Sequence, residues 1–237
     1  MDLITLATTA DIRDRQPKIA ILPVGSFEQH GRYLPLATDT IVASAIAEGL
    51  ATAYNLLVLP PITMSCSHEH AAWPGTISLS HRTVSAVIDD VVGSLTAQGI
   101  DKLAIISGHG GNYFLSNVVQ SANAATPRSM TLFPNRDDWR KARQDADLET
   151  DDHEDMHAGE LEVSILLAVA PDALRDGFNS ADHQSNARPH LLIEGMAGYT
   201  SSGVIGRPSA GTSTKGKAIL ASLVTSFDAH LHLLNAA

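Results

Sequence analysis

Five short segments gather the side chains of this chain that can do chemistry. Glu28 and His30 stand two apart in LPVGSFEQHG (22–31). In an extended backbone, residues at that spacing point the same way and can reach one ion or a pair. Asp39 lies in TDT (38–40), His70 and Trp73 in EHAAWPGT (69–76), His109 in SGHGGN (107–112), and His157, Glu160 and Glu162 in HAGELE (157–162). Imidazole mixed with carboxylate, and no thiolate, suits Zn, Mn or Fe as divalent ions and argues against a Cys-rich structural zinc site. The two oxygens of Asp39 could bridge two ions, and the glycines around His109 let the backbone pass close to a ligand. Each segment alone also has an ordinary reading. Glu-x-His recurs by chance, Gly-His-Gly-Gly is also a tight strand-to-helix turn, and acids at a helix start suit its dipole. A phosphate-cradling loop is disfavoured, because no Lys-Ser/Thr pair follows the glycines.

The elements that must position these groups alternate along the chain. Apolar runs at 18–24, 56–59, 103–107 and 130–133 read as strands. Asp39 is placed to cap a helix reaching about 54. Ser80 is placed to cap another that ends at Gly99, and a third starts near Asn112. Further helices span 158–170, halted by Pro171, and 214–234. The stretch 135–155 is polar and acid-rich and reads as a surface loop or lid, while 176–211 is rich in Gly, Ser, Pro and Asn. This order predicts an α/β fold, a three-layer α/β/α arrangement with a largely parallel central sheet. Ligands of such sheets bind beyond the carboxyl ends of the strands, which is where 25–31, 68–76 and 108–112 fall.

Composition narrows the functional classes. A chain of 237 residues can bury roughly 70–75% of its extended surface, and with no repeat or linker a single domain over 1–237 is expected. A net charge of −10 argues against nucleic-acid binding. No apolar run approaches the ~18–20 residues of a membrane span, and residues 1–15 do not read as a signal peptide. The one cysteine, Cys66, cannot form an internal disulfide, so a cytoplasmic protein is expected.

Taken together and in order, the five segments resemble the creatininase family of creatinine amidohydrolases and relatives. The resemblance covers most of the chain and is weaker in the last quarter. It implies an α/β enzyme holding two divalent metal ions per chain, and a homo-oligomer such as a hexamer. By that resemblance Glu28, His30, Asp39 and His109 are metal ligands with Asp39 the bridge. Glu160 is the fifth ligand, with Glu162 as the fallback. His157 is then the catalytic proton shuttle, and His70 and Trp73 contact the substrate. Creatinine-hydrolysing members carry a Glu where this chain has Gly111, an aromatic residue at Gly110 and a Trp near His153. The chain therefore looks nearer to the formamide deformylases and the mycofactocin-precursor peptidases. The expected activity is hydrolysis of a non-creatinine amide C–N bond, in a formamide or cyclic amide of a small molecule. The alternatives are a metallopeptidase that trims a small peptide precursor and a non-catalytic metal-binding subunit.

Overall fold

All six residues of β1 (Ile19–Val24) are apolar and buried. Successive side chains of a strand face opposite ways, so a strand apolar throughout must be covered on both faces. The computed structural model, which describes residues 5–236, has that arrangement. Ile19 and Ile21 enter one apolar cluster, whereas Ala20, Leu22 and Val24 enter a second. In β3 (Lys102–Ser107), Ala104 and Ile106 join the first cluster, and Leu103 and Ile105 the second. With β2 (Leu57–Val58) and β4 (Met130–Phe133) they form one sheet in the order β2-β1-β3-β4, parallel at every pairing. β1 and β3 stay in register from Ile19↔Lys102 to Val24↔Ser107, so their carboxyl ends finish side by side.

Helices α2 (Thr38–Ala53), α5 (Arg136–Asp145), α6 (Glu160–Val169) and α8 (Ser213–Asn235) cover one face. α3 (His81–Thr96) and α4 (Leu115–Ala125) cover the other through Val84, Ile88, Leu95 and Leu115. The three-layer expectation holds. α3 is capped as its sequence implies, with Ser80 Oγ accepting from the Thr83 amide. Short α1 (Thr9–Arg15) and α7 (Leu191–Glu194) complete the set. Among the described residues, no helix is long and apolar enough to cross a membrane.

Several boundaries differ from expectation. The stretch read as a loop or lid begins with α5, whose Asn135 cap forms a reciprocal box with Asp138. Its apolar stripe is only Trp139, Ala142 and the following Ala146, too sparse to announce a helix among so many charges. α4 starts at Leu115 rather than near Asn112, because 110–114 forms a turn first. Asp39 is not the cap of α2 but lies within its first turn. α1 was not anticipated; it is exposed and held by a capping box between Thr8 and Asp11.

Phe227 of α8 is fully buried and meets Phe133 of β4 edge-on, with ring centroids 5.1 Å apart. Phe227→Ala is expected to cost roughly 3–5 kcal/mol of unfolding free energy, measurable by urea denaturation. A loss below 1 kcal/mol would show that this contact does not anchor the α8 layer to the sheet.

Candidate metal centre

The chain leaving β1 crosses the carboxyl end of the sheet and meets the N-terminus of α2. A Cβ on Gly25 would collide with Thr40, and one on Gly108 with the backbone of Asp39. Only glycine at the ends of β1 and β3 lets the first turn of α2 sit so close to them. Asp39 is thereby buried against the sheet edge, where the positive end of the helix dipole favours its carboxylate.

The imidazoles around Asp39 are oriented by backbone carbonyls. His30 Nδ1 donates to the Glu28 carbonyl (3.1 Å), His109 Nε2 to the Cys66 carbonyl (2.9 Å), and His157 Nε2 to the Gln29 carbonyl (2.7 Å). Each ring then turns its other nitrogen inward. His30 Nε2 lies 3.2 Å from Asp39 Oδ1 and 3.7 Å from Glu162 Oε1. His109 Nδ1 lies 3.2 Å from both Glu28 Oε1 and Asp39 Oδ2. Both Glu28 oxygens and Asp39 Oδ2 are buried and form no hydrogen bond among the described residues. Carboxylates gathered this closely in the interior call for positive charge among them, from the rings or from a metal ion. Glu28, Asp39 and His109 could hold one ion and His30, Asp39 and Glu162 another, with Asp39 common to both; Glu28, His30 and His157 form a third grouping.

Charge in this cluster is set by competition. Burial opposes the imidazolium forms of His30 and His109. The carboxylates beside them outweigh it, Asp39 and Glu162 for His30, and Glu28 and Asp39 for His109. Both rings are held well above the ordinary histidine range by protein groups alone. Burial likewise opposes the Asp39 carboxylate, and His30 and His109 reverse it and hold its carboxyl low. His157 is lowered by burial and then by His30, which favours its neutral form.

Gln29 organises the second rank of groups. Its Oε1 accepts from the Gly31 amide (2.9 Å), and its Nε2 donates to the Gly203 carbonyl (3.1 Å) and His70 Nδ1 (2.9 Å). His70 therefore carries its proton on Nε2, which lies 3.2 Å from Glu28 Oε1 without forming a hydrogen bond to it. A Cβ on Gly203, where φ is +88°, would collide with the Gln29 side chain. His70, the expected substrate contact, lines the cleft floor as a buried ring whose nitrogens face protein groups. The expected contact at Trp73 is corrected, since Trp73 does not line the cleft, whereas Trp139 of α5 does.

Glu160 does not reach the cluster. Its buried carboxylate accepts from the Glu149 and Thr150 amides, Thr150 Oγ1 and Lys215 Nζ (2.6 Å). At the start of α6, Glu160 and Glu162 lie about 200° apart around the axis, so only one can face Asp39. That one is Glu162, the fallback candidate, which stands with His30 and Asp39 where an ion could be held, and Glu160 is a structural anchor instead.

Above the cluster opens a cleft of about 1220 Å³, lined by Trp139, Arg136, Arg188, His153 and Asn112 among others. The Asn112 side chain is buried, and neither of its polar atoms is paired among the described residues. Asn112 and Gln29 lie inside the five segments, yet their types gave no sign of a role at the site. Their amides bear no charge and their roles depend on which groups surround them. Arg188 came from a stretch without periodicity and carried no signal.

A family model described as Creatininase: Creatinine amidohydrolase matches residues 5–231. A mycofactocin precursor peptide peptidase of Mycobacterium ulcerans (strain Agy99) is 30% identical over 230 residues, covering 92% of this chain and 86% of that protein. A solved creatininase structure superposes with a TM-score of 0.83 at 21% identity, covering 98% of this chain and 97% of the other. A mutant creatininase of Zn-Zn type gives 0.81 at 21% identity, covering 98% of each chain.

Glu162→Ala is expected to lower bound metal by elemental analysis, whereas Glu160→Ala keeps the wild-type metal content and melts at a lower temperature. Full metal loss in the Glu160 variant would reverse this assignment. Burial opposes the Glu160 carboxylate, but Lys215, Thr150 and the two amides win and hold its carboxyl low. Its stabilisation is therefore complete above the ordinary value of 4.5 and is lost as pH falls through the lower folded value. Lys215→Met, which strands that buried charge, should cost about 3 kcal/mol at neutral pH in urea unfolding. Gln29→Glu should move the His70 ring proton to Nδ1, read from ¹⁵N chemical shifts, and weaken metal binding by about 10–100-fold. An unchanged His70 tautomer would remove Gln29 from that role.

Proposed function

The chain belongs to the creatininase family and is a metal-dependent hydrolase of C–N bonds, and from that premise we propose that it cleaves an amide within an extended, peptide-like substrate. The observation that carries this reading is the cleft. Its volume of about 1220 Å³ exceeds the roughly 300–1,000 Å³ of ordinary small-molecule pockets. The cleft wall made by α5 and 187–191 presents Arg136 and Arg188 beside Trp139 and Leu191. Such a wall suits a chain with apolar side chains and an anionic end. The likeness to a mycofactocin precursor peptide peptidase supports the same reading. A formamide or cyclic amide of a small molecule is the alternative, and a cytoplasmic location and a homo-oligomer remain expectations of the same proposal.

The ligand set supports two ions per chain, and the Zn-Zn creatininase supports zinc as one metal. Bound there, divalent ions would supply water acidified to near-neutral pH and polarisation of the amide carbonyl. The protein groups do the rest. Glu28, Asp39 and Glu162 supply negative charge at fixed positions and hold the reacting centre against the sheet edge. Asn112, with its unpaired amide on the cleft floor, is placed to hydrogen-bond the substrate amide. His157 lines the same cleft as a neutral imidazole, its Nδ1 lone pair facing the Glu28 carboxylate at 3.9 Å. Its Nε2–H is fixed on the Gln29 carbonyl, so Nδ1 is the atom that takes a proton and returns it to the leaving nitrogen.

The metal-loaded protein should hydrolyse short peptides in a panel that also holds formamides, lactams and ureides, and should lose activity on chelation. Turnover of formamides with inert peptides would select the small-amide alternative. Absence of bound metal would leave a non-hydrolytic role. His157→Gln should lower kcat by about 10²–10⁴-fold with metal content unchanged; near-normal turnover would end the shuttle role.

A further inference from the structure

A second cavity of about 520 Å³ adjoins the main cleft, and the two share Glu69, Gly111 and Tyr113 as lining. Its other walls are apolar at Leu192 and Ile193 of α7, Phe114 and Ala197, with His68 and His81 as its imidazoles. Leu192 and Ile193 are more than three-quarters exposed, and Tyr113 is also exposed. The carboxylates of the cavity come from Glu69 and Glu194.

Glu69 fills space that only a glycine at 111 leaves free, because a Cβ there would collide with Glu69 Oε1. The Glu69 side chain is mostly buried, and its cationic neighbour is His109 Nε2 at 3.5 Å. That nitrogen already donates to the Cys66 carbonyl at 2.9 Å. The carboxylate thus stands at the junction of two cavities with no charged hydrogen bond of its own to His109. We infer that the side cavity is a subsite for an apolar group bearing a protonated amine, with Glu69 as the amine's acceptor. The inference builds on the extended-amide reading of the cleft and adds a polarity to it. An apolar side chain lies against Leu192 and Ile193, its ammonium meets Glu69, and the anionic end of the substrate reaches Arg136 and Arg188. The cavity volume fits one large side chain, and the Glu69 and Glu194 carboxylates disfavour an anion at this end. Peptide hydrolysis itself creates such a group, since cleavage turns an amide nitrogen into an amine that is protonated at neutral pH.

Calorimetric titration of the zinc-loaded protein with leucinamide and with N-acetylleucinamide, with both probes checked for cleavage, tests this by binding. Leucinamide should bind roughly tenfold more tightly, since a charge-assisted hydrogen bond is lost on acetylation. Glu69→Gln should remove the difference, and the double variant Leu192→Ser/Ile193→Ser should weaken both probes to a similar degree. Equal affinity of the wild type for the two probes, or an unchanged preference in Glu69→Gln, would overturn the subsite. A protein that prefers leucinamide through Glu69 yet leaves peptides intact would remove the peptidase reading and keep the subsite. Peptide cleavage with no amine preference would do the reverse.

Discussion

At the carboxyl edge of the sheet, buried hydrogen-bond acceptors converge with too few donors among them. Two oxygens of Glu28 and one of Asp39 form no hydrogen bond among the described residues, and the inner nitrogens of His30 and His109 point at the same space. A protein does not keep such a cluster in its interior for stability, since each stranded charge costs several kcal/mol unless a counter-charge arrives. The surroundings are built around that cost. The parallel register of β1 and β3 brings two loops together, and α2 lays its positive end on the cluster. Backbone carbonyls, which cannot be titrated away, hold the outer nitrogens of three imidazoles.

The same economy of donors explains the neighbouring groups. Gln29 has its oxygen and both amide hydrogens engaged, and it can do so because Gly203 leaves room for its side chain. Glu160 has no part in the cluster, yet it decides where the cluster's wall stands. By gathering Thr150, the Glu149 amide and Lys215 it fastens the approach to α6. Asp155, buried nearby, receives the first amides of α6 and the Arg143 guanidinium. Glu162 is carried toward His30 by a helix start that two buried carboxylates have already fixed.

Much of this was legible in the sequence because the strands are apolar on both faces and the helices α3 and α8 keep a clean 3.6 period. Glu28, His30, Asp39 and His109 were also legible, because charged and imidazole side chains at strand ends have few other uses. The choice between Glu160 and Glu162 was not. Both acids lie in one helical turn, and which one faces the sheet depends on the rotation of α6, set by Val163, Ile165 and Leu166 in the core. α5 was hidden for a related reason. Its buried stripe is short and the surrounding charges match those of a loop, so its capping box was the signal available. His70 illustrates a different gap. Its residue type suits substrate contact, but a Gln side chain from another segment takes one nitrogen, and spacing cannot report that.

The anchoring of the imidazoles by main-chain carbonyls has one more consequence. The rings are aimed by bonds that form as the chain folds, before any ion arrives. Capture of a divalent cation therefore orders few additional side chains, unlike small metal-binding modules in which ion binding and folding are a single event. A site prearranged in this way behaves as a socket. Ions of similar size and ligand preference can enter and leave it while the sheet and its two helical layers stay as they are, and the identity of the occupant is set by supply as much as by the protein.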